Sequence, residues 1–269
     1  MIAALRSEYR KIVTTRTWWV LLLAMLAYMS FLAATFAFAM TQGGAMGGPG
    51  TQGLGHSPTS AISVYTIAVA FGYVFPVIVG ALSVTGEFRH QTITPTLLAE
   101  PRRTTLVGAK LLAAVPVGVL YGVLGTAAGV GVGAGVLALT DHATYLDDPE
   151  VLVAVGRSVL ALAVWAVVGV GLGLAMPNQV AVIVVVLAFT QFVEPILRFA
   201  LAFVADGALA GVGAYLPGAA GEAITGSSFY SQMGAGELLA WWQGLLVLVG
   251  YALVFAALGR VTTLRRDIT

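Results

Sequence analysis

Six long stretches of mostly apolar residues alternate with shorter polar segments along this chain. A helix needs about 20 predominantly apolar residues to cross the hydrocarbon core of a bilayer, and every stretch is long enough. The pattern therefore predicts an all-α polytopic membrane protein with six transmembrane helices, at about residues 17–40, 60–84, 107–139, 151–175, 180–204 and 238–259. Pro76 and Pro116 lie inside the second and third stretches, and we expect them to kink those helices.

Residues 1–16 have a different periodicity. Their apolar residues recur every three or four positions and so share one face of a helix; they are Ile2, Leu5, Tyr9, Ile12 and Val13. This pattern is typical of an amphipathic helix that lies in the membrane interface. The apolar stretch that follows is longer than the core of a cleaved signal peptide, so we expect it to be a retained first span.

The composition agrees with a single transmembrane domain that takes in residues 1–269. Hydrophobic residues make up 59% of the chain and charged residues 9%. A soluble domain has about 25% charged residues, and a chain so poor in charge cannot cover a water-facing surface. The absence of cysteine excludes disulfides, zinc–thiolate sites and thiol catalysis.

The charges are distributed unequally between the two sides of the predicted spans. All but two of the 13 lysines and arginines precede the first span, lie between the second and third, or follow the sixth. The loops on the other side hold most of the acidic residues. Because basic residues collect in cytoplasmic loops, this distribution predicts a multi-pass protein of a bacterial inner membrane with both termini in the cytoplasm.

Two outer segments differ in character. Residues 41–58 are rich in glycine, and we expect a mobile loop there. Residues 205–237, between the fifth and sixth spans, are too apolar for a solvated linker. They predict outer re-entrant or interfacial helices that break at Pro217-Gly218 and at Gly226-Ser227.

Glycines recur at helical spacing in the third and fourth spans. Small residues on one face let two helices approach closely. The pattern predicts helix packing within the chain or, alternatively, a face for dimerisation or sliding, at Gly118, Gly122, Gly125, Gly129, Gly133, Gly169 and Gly173.

No pattern in the chain predicts an enzyme. A Walker A motif is absent, and the run GVGVGAG does not complete a dinucleotide-binding loop and lies inside an apolar span. His56, His90 and His142 are isolated and fall on opposite sides of the predicted membrane. We therefore expect no catalytic site, cofactor or metal in this chain, and nothing predicts a nucleic-acid partner.

The segment 86–106 is the largest inner loop and is rich in charge. Thr94 is a plausible helix cap, Pro95 favours a helix start, and Pro101 ends the short helix that they predict. Such a helix suits a groove on another protein. It is equally compatible with a solvated loop whose arginines set the topology and contact anionic lipid.

The same segment resembles the signature region of the type-2 ABC transporter permeases, the six-span membrane subunits of many bacterial exporters. The matching residues are Glu87-Phe88-Arg89, Gln91-Thr92, Thr96-Leu97-Leu98, Pro101-Arg102-Arg103 and Lys110, with Gln91 in place of the usual glycine. The leader resembles the elbow helix of this family, and residues 215–226 are similar to its outer element between the last two spans.

This resemblance implies a function and a set of partners. The chain would be a permease that pairs with a second permease, identical or related, in the membrane lipid. Two separate ATPase subunits would bind ATP and Mg²⁺, and the inner short helix would be the cytoplasmic coupling helix that docks on an ATPase. The docking residues implied are Glu87, Phe88, Arg89, Thr92, Thr96, Leu97, Leu98, Pro101, Arg102 and Arg103.

One pair of charged residues lies inside a predicted span. Glu194 and Arg198 are four residues apart and share a helical face. Charges inside a membrane are costly and face a partner or a cavity. The pair is either a polar patch on the transport path or a structural ion pair that holds the fifth span to its neighbours.

Three functions therefore stay open. The first is the permease of an ATP-driven exporter, whose substrate we expect to be hydrophobic or amphipathic, such as a drug, a lipid or a peptide. The second is an ion-coupled secondary transporter that uses Glu194. The third is a membrane scaffold that does not transport.

Overall fold

The computed structural model describes residues 2–41, 57–203, 209–234 and 236–263, and helices dominate these ranges. Most of the predicted glycine-rich loop at 41–58 lies outside them, as do His56, Arg265 and Arg266. The helices are α1 (Ile2–Thr14), α2 (Thr17–Thr41), α3 (Pro58–Tyr65), α4 (Ile67–Ala70), α5 (Val74–Arg89), α6 (Ile93–Ala99), α7 (Arg103–Leu139), α8 (Pro149–Ala175), α9 (Gln179–Ala188), α10 (Glu194–Phe203), α11 (Ala210–Gly213), α12 (Pro217–Thr225), α13 (Phe229–Gln232) and α14 (Trp241–Thr262).

Five helical segments in the described ranges are long and apolar enough to cross a membrane. They are 17–41, 103–139, 149–175, 179–203 and 241–262. The first, third, fourth, fifth and sixth predicted spans each coincide with one of them. The chain therefore has the character of a multi-pass membrane protein. Capping residues explain two of the boundaries, because the side chains of Asp148 and Asn178 accept backbone N–H groups at the starts of α8 and α9.

The second predicted span is not one helix. Residues 58–89 form α3, α4 and α5, with breaks at Thr66 and at residues 71–73. Pro76 does not kink a long helix as expected, because it is the third residue of α5, where a missing N–H costs no hydrogen bond. Every residue of α4 is buried, so the protein rather than lipid surrounds the interrupted backbone.

The long helices form a bundle around α8, which packs against α5, α7 and α14. One end of the bundle holds α1, the segment 90–102 with α6, and the start of α9. We call it the basic end, because Lys11, Arg89, Arg102 and Arg260 are on the segments that meet there. At the opposite end, Tyr65 donates a hydrogen bond to the Thr144 carbonyl at 2.7 Å.

The predicted glycines lie at helix crossings inside the chain. A Cβ on Gly118 or Gly122 would come within 2.8 Å of the α8 backbone, and one on Gly173 would come within 2.7 Å of the Ala81 carbonyl of α5. Gly169 approaches the Val77 carbonyl of α5 more closely still. Gly125 and Gly133 face side chains of α2 and α3, and Gly129 has more room. These contacts are packing within the chain.

The described residues of the outer segment, 209–234 and 236–237, contain three short helices, α11 to α13. The second expected break is at Gly226, whose φ of 76° ends α12 in the left-handed conformation. The first break falls at residues 214–216, so Pro217 and Gly218 begin α12 instead of interrupting a helix. Residues 218–225 of α12 are all buried, and α12 packs against α14 and α8.

The fifth span contains one irregular turn. Residues 189–193 form a π-helical turn between α9 and α10. It precedes Pro195, which has no N–H to continue an α-helical ladder. Such turns rotate the face that the following residues present. In α10 the buried residues are Glu194 and Arg198.

Candidate functional site

The short helix predicted in the 86–106 segment is present as α6. It begins two residues earlier than expected, with Thr92 and not Thr94 at the cap position, and Thr92 makes no side-chain cap bond. It ends at Ala99, before Pro101 as predicted. Its N-terminal residue Ile93 is buried, and Leu98 near its other end is 78% exposed. The helix therefore packs on the protein through Ile93 and leaves Leu98 exposed.

The residues that the resemblance assigns to docking fall into three groups. Arg89, Thr92, Leu98, Pro101 and Arg102 are exposed. Phe88, Thr96, Leu97 and Arg103 are half-buried, and Phe88 and Leu97 pack on a core cluster. Glu87 is buried, with 6% of its surface exposed, so it faces the protein interior and not a partner.

Gln91 occupies the position where the resembled pattern has glycine. Its φ is 56°, in the left-handed region. A side chain in that region costs about 1–2 kcal/mol, and glycine avoids this cost. The turn thus has the conformation for which glycine is best suited, although the chain has glutamine there.

Two lysines and two glutamates meet where α1, α5 and α7 join. Lys110 Nζ lies 2.6 Å from Glu8 Oε2 and 2.9 Å from Glu87 Oε1. Lys11 Nζ lies 2.6 Å from Glu8 Oε1 and 2.7 Å from Glu87 Oε1. The Lys110 side chain is 1% exposed, and both glutamates are buried. We call these four residues the Lys–Glu cluster; its formal charges cancel.

The Lys–Glu cluster is also bonded to α6. Lys11 Nζ donates to Thr96 Oγ1 at 3.1 Å. The same Thr96 hydroxyl donates to the Thr92 carbonyl at 2.9 Å, and the Thr92 N–H donates to the Glu87 carbonyl at 2.8 Å. A displacement of α6 therefore acts on α1 and α5 through polar contacts.

The electrostatics of the Lys–Glu cluster are set by burial and close pairing. Burial lowers the pKa of Lys11, but its hydrogen bonds to Glu8 and Glu87 outweigh that effect and raise the pKa above its usual value. Glu87 Oε2 is buried and accepts no hydrogen bond from the described residues. The ammonium groups therefore supply all the side-chain hydrogen bonds that Glu87 receives through Oε1.

The sequence patterns do not bring the four members of this cluster together. Glu87 and Lys110 belong to the motifs that carry the resemblance, whereas Glu8 and Lys11 lie in the leader outside those motifs. One feature of the sequence could have indicated the cluster. Lys11 and Lys110 are the two lysines of the chain, and the other 11 of its 13 lysine and arginine residues are arginines. Both lysines contact the same two buried glutamates, although Lys110 is buried and Lys11 is partly exposed.

A second charged group lies at the other end of the bundle. Arg198 donates to both carboxylate oxygens of Glu222, at 3.2 and 2.9 Å, and to Ser228 Oγ at 3.1 Å. Its guanidinium also lies 4.8 Å from the ring centroid of Tyr230. Glu222 was predicted to lie in an outer loop, but it is 2% exposed in α12. The expected ion pair between Glu194 and Arg198 is therefore replaced by one between Arg198 and Glu222.

Glu194 instead binds the start of α12. Its Oε1 accepts the N–H of Ala219 at 2.9 Å, in the first turn, where a helix favours a negative charge. A Cβ on Gly218 would come within 2.6 Å of this oxygen, so glycine makes the approach possible. Glu194 Oε2 is buried and unpartnered among the described residues. The contact ties the fifth span to the outer segment.

The described part of the chain contains no group of three His, Asp or Glu residues arranged to hold a metal ion. The two charged groups described above join different helices of the bundle. No family model matches this chain, and no curated protein matches it.

Proposed function

We propose that this chain is the membrane-spanning permease of an ATP-driven ABC exporter, powered by separate ATPase subunits. The observation that carries the proposal is α6, a short helix with an exposed leucine that is bonded to α1, α5 and α7 through the Lys–Glu cluster. Because α6 is bonded in this way, a soluble partner that displaces it would displace several membrane helices together.

In this proposal, movement passes from the ATPase to α6, then to α1, and then to α5 and α7. The ATPase pair contacts the exposed side of α6 around Leu98 and moves it when ATP binds. Thr96 and Lys11 carry the movement to α1, and Glu87 and Lys110 carry it to α5 and α7. For ATP to drive a change of access, the ATPase must bind one arrangement of these helices better than the other.

The proposal treats the basic end as cytoplasmic and counts six membrane crossings. Five are the long apolar helices, and the sixth is the interrupted segment α3–α5, which runs from Tyr65 at one end to Glu87 at the other. An interruption inside the bundle is tolerated in membranes because neighbouring helices surround it. A second permease, identical or related, would complete the path for a hydrophobic or amphipathic substrate.

The test is reconstitution with a P-loop ATPase partner, whose gene we expect to lie beside the gene for this chain. Leu98→Asp should abolish ATP-coupled flux because it places a charge in the proposed docking surface, while the protein still inserts and unfolds at the wild-type temperature. Leu139→Asp is the matched control, since Leu139 is 87% exposed at the opposite end. Normal flux in Leu98→Asp, with the ATPase bound, contradicts the docking role.

The burial of each residue decides whether its variant tests docking or folding. Leu97 packs on a core cluster and Glu87 is buried among charges, so Leu97→Asp and Glu87→Lys should destabilise the protein. Loss of flux in those variants would not distinguish docking from misfolding. Leu98 is the informative position.

The unpartnered oxygen of Glu194 favours ion-coupled transport as a second candidate. Arg198 and Glu222 pair with each other, so Glu194 has no ion-pair partner among the described residues. An ion-coupled transporter needs such a site. Gradient-driven flux in vesicles without ATPase that disappears in Glu194→Gln would favour this function over the exporter.

A further inference from the structure

A cavity of about 600 Å³ lies at the basic end, between α1, the start of α2, the last turns of α5 and the start of α9. Neither proposed transport function uses it. Along α5 the lining of the cavity changes from apolar to polar. Val79 and Leu82 are the apolar residues, and Arg89 and His90 lie two turns further along the chain, where the helix ends. Thr14, Trp18 and Gln179 also line it.

Among the charged side chains that line the cavity, one positive charge is left without an ion-pair partner. Lys11 is paired with Glu87 at 2.7 Å, so these two lining residues compensate each other. Arg89 is exposed and makes no ion pair with any described carboxylate; its Nη1 donates to Gln179 Oε1 at 3.1 Å. The remaining guanidinium N–H groups can bind an anion in a fixed, planar geometry.

The cavity lies at the level where lipid headgroups meet the protein. Thr17 and Gln179 begin two of the helices that are long enough to cross a membrane. Trp18 lines the cavity, and tryptophan is enriched at the membrane interface. Basic pockets between membrane helices on the cytoplasmic side are suited to anionic headgroups.

We propose that this cavity binds one anionic phospholipid, with the phosphate at Arg89 and His90 and the start of an acyl chain along Val79 and Leu82. The polar rim and apolar floor match the two parts of such a molecule. The bound lipid would contact α1 and α5 beside the Lys–Glu cluster. The proposal requires only a membrane, and no ATPase or substrate.

The experiment is native mass spectrometry and thermal unfolding of the purified full-length chain in detergent. Phosphatidylglycerol, phosphatidylcholine with the same acyl chains, and inorganic phosphate are the three probes. We expect phosphatidylglycerol to remain bound and to raise the unfolding temperature, with little effect from the other two. Arg89→Gln should weaken phosphatidylglycerol binding about fivefold, the effect of one basic residue near a lipid surface.

Arg102→Gln is the matched control, because Arg102 is exposed on the same loop but does not line the cavity. Ser83→Phe fills the cavity without changing its charge and should also lower lipid binding. Equal binding of both lipids, equal effects of Arg89→Gln and Arg102→Gln, or inorganic phosphate stabilising the protein as much as phosphatidylglycerol does would each overturn the proposal. The ATPase is absent, so failure here leaves the exporter function standing.

Discussion

Lys110 is the residue whose replacement tests the Lys–Glu cluster most sharply. Its side chain is 1% exposed and contacts both Glu8 and Glu87. Lys110→Met keeps the apolar stem and removes the charge, which leaves two buried carboxylates to share Lys11. Removing one partner of a buried ion pair costs about 3–5 kcal/mol, because the other partner stays desolvated without compensation. The unfolding temperature should fall by about 6–20 °C.

The assay is thermal unfolding of the purified protein in detergent at neutral pH. The double variant Glu8→Gln, Lys110→Met provides the control, since it leaves one glutamate, Glu87, facing one lysine, Lys11, at 2.7 Å. We expect the unfolding temperature of the double variant to fall roughly half as far as that of Lys110→Met. The two substitutions are not additive because they change neighbouring residues. Equal stability of Lys110→Met and wild type, or additive losses in the double variant, would refute the buried charge balance.

Three further predictions rest on single residues. Gln91→Gly should raise the free energy of unfolding by about 0.5–1 kcal/mol, measured by denaturant titration, because it relieves the left-handed conformation at a small entropic cost. Gly218→Ala should lower the unfolding temperature by crowding Glu194, whereas Gly211→Ala, with open space around it, should not; equal effects would argue against the close approach. Since the folded pKa of Lys11 is raised, its stabilising effect is complete below the unfolded value of about 10.4 and lost as pH rises through the folded pKa. Unfolding scans between pH 9 and 12 should show a drop that is smaller in Lys11→Met.

Hydropathy predicted the spans well where a helix is continuous and poorly where it breaks. The third and fourth spans agree closely with α7 and α8, because length and apolar content decide them. The second does not, because Thr66 and residues 71–73 break the helix while their neighbours stay apolar. Thr66, α4 and residues 72–73 are buried in protein, so the break leaves no polar signature in the sequence.

The charged contacts could not be predicted from spacing, since they join distant parts of the chain. Glu8 and Lys110 are 102 residues apart, and Arg198 and Glu222 are 24 apart. Sequence reasoning paired Arg198 with Glu194 because they share a helical face. The sequence places Glu222 only on the outer side of the membrane, because residues 205–237 lie between the fifth and sixth predicted spans. Burial of α12 in the bundle brings Glu222 to Arg198.

The central claim is that α6 transmits force from an ATPase, and a crosslink from Leu98 tests it most directly. The chain has no cysteine, so Leu98→Cys and, at the other end, Leu139→Cys introduce unique labels at two exposed positions. In the complex with the proposed P-loop ATPase partner, we predict that Leu98→Cys crosslinks to the ATPase and is protected from a water-soluble maleimide, and that Leu139→Cys forms no crosslink. A Leu98→Cys that forms no crosslink and reacts as fast in the complex as in the free chain would contradict the claim.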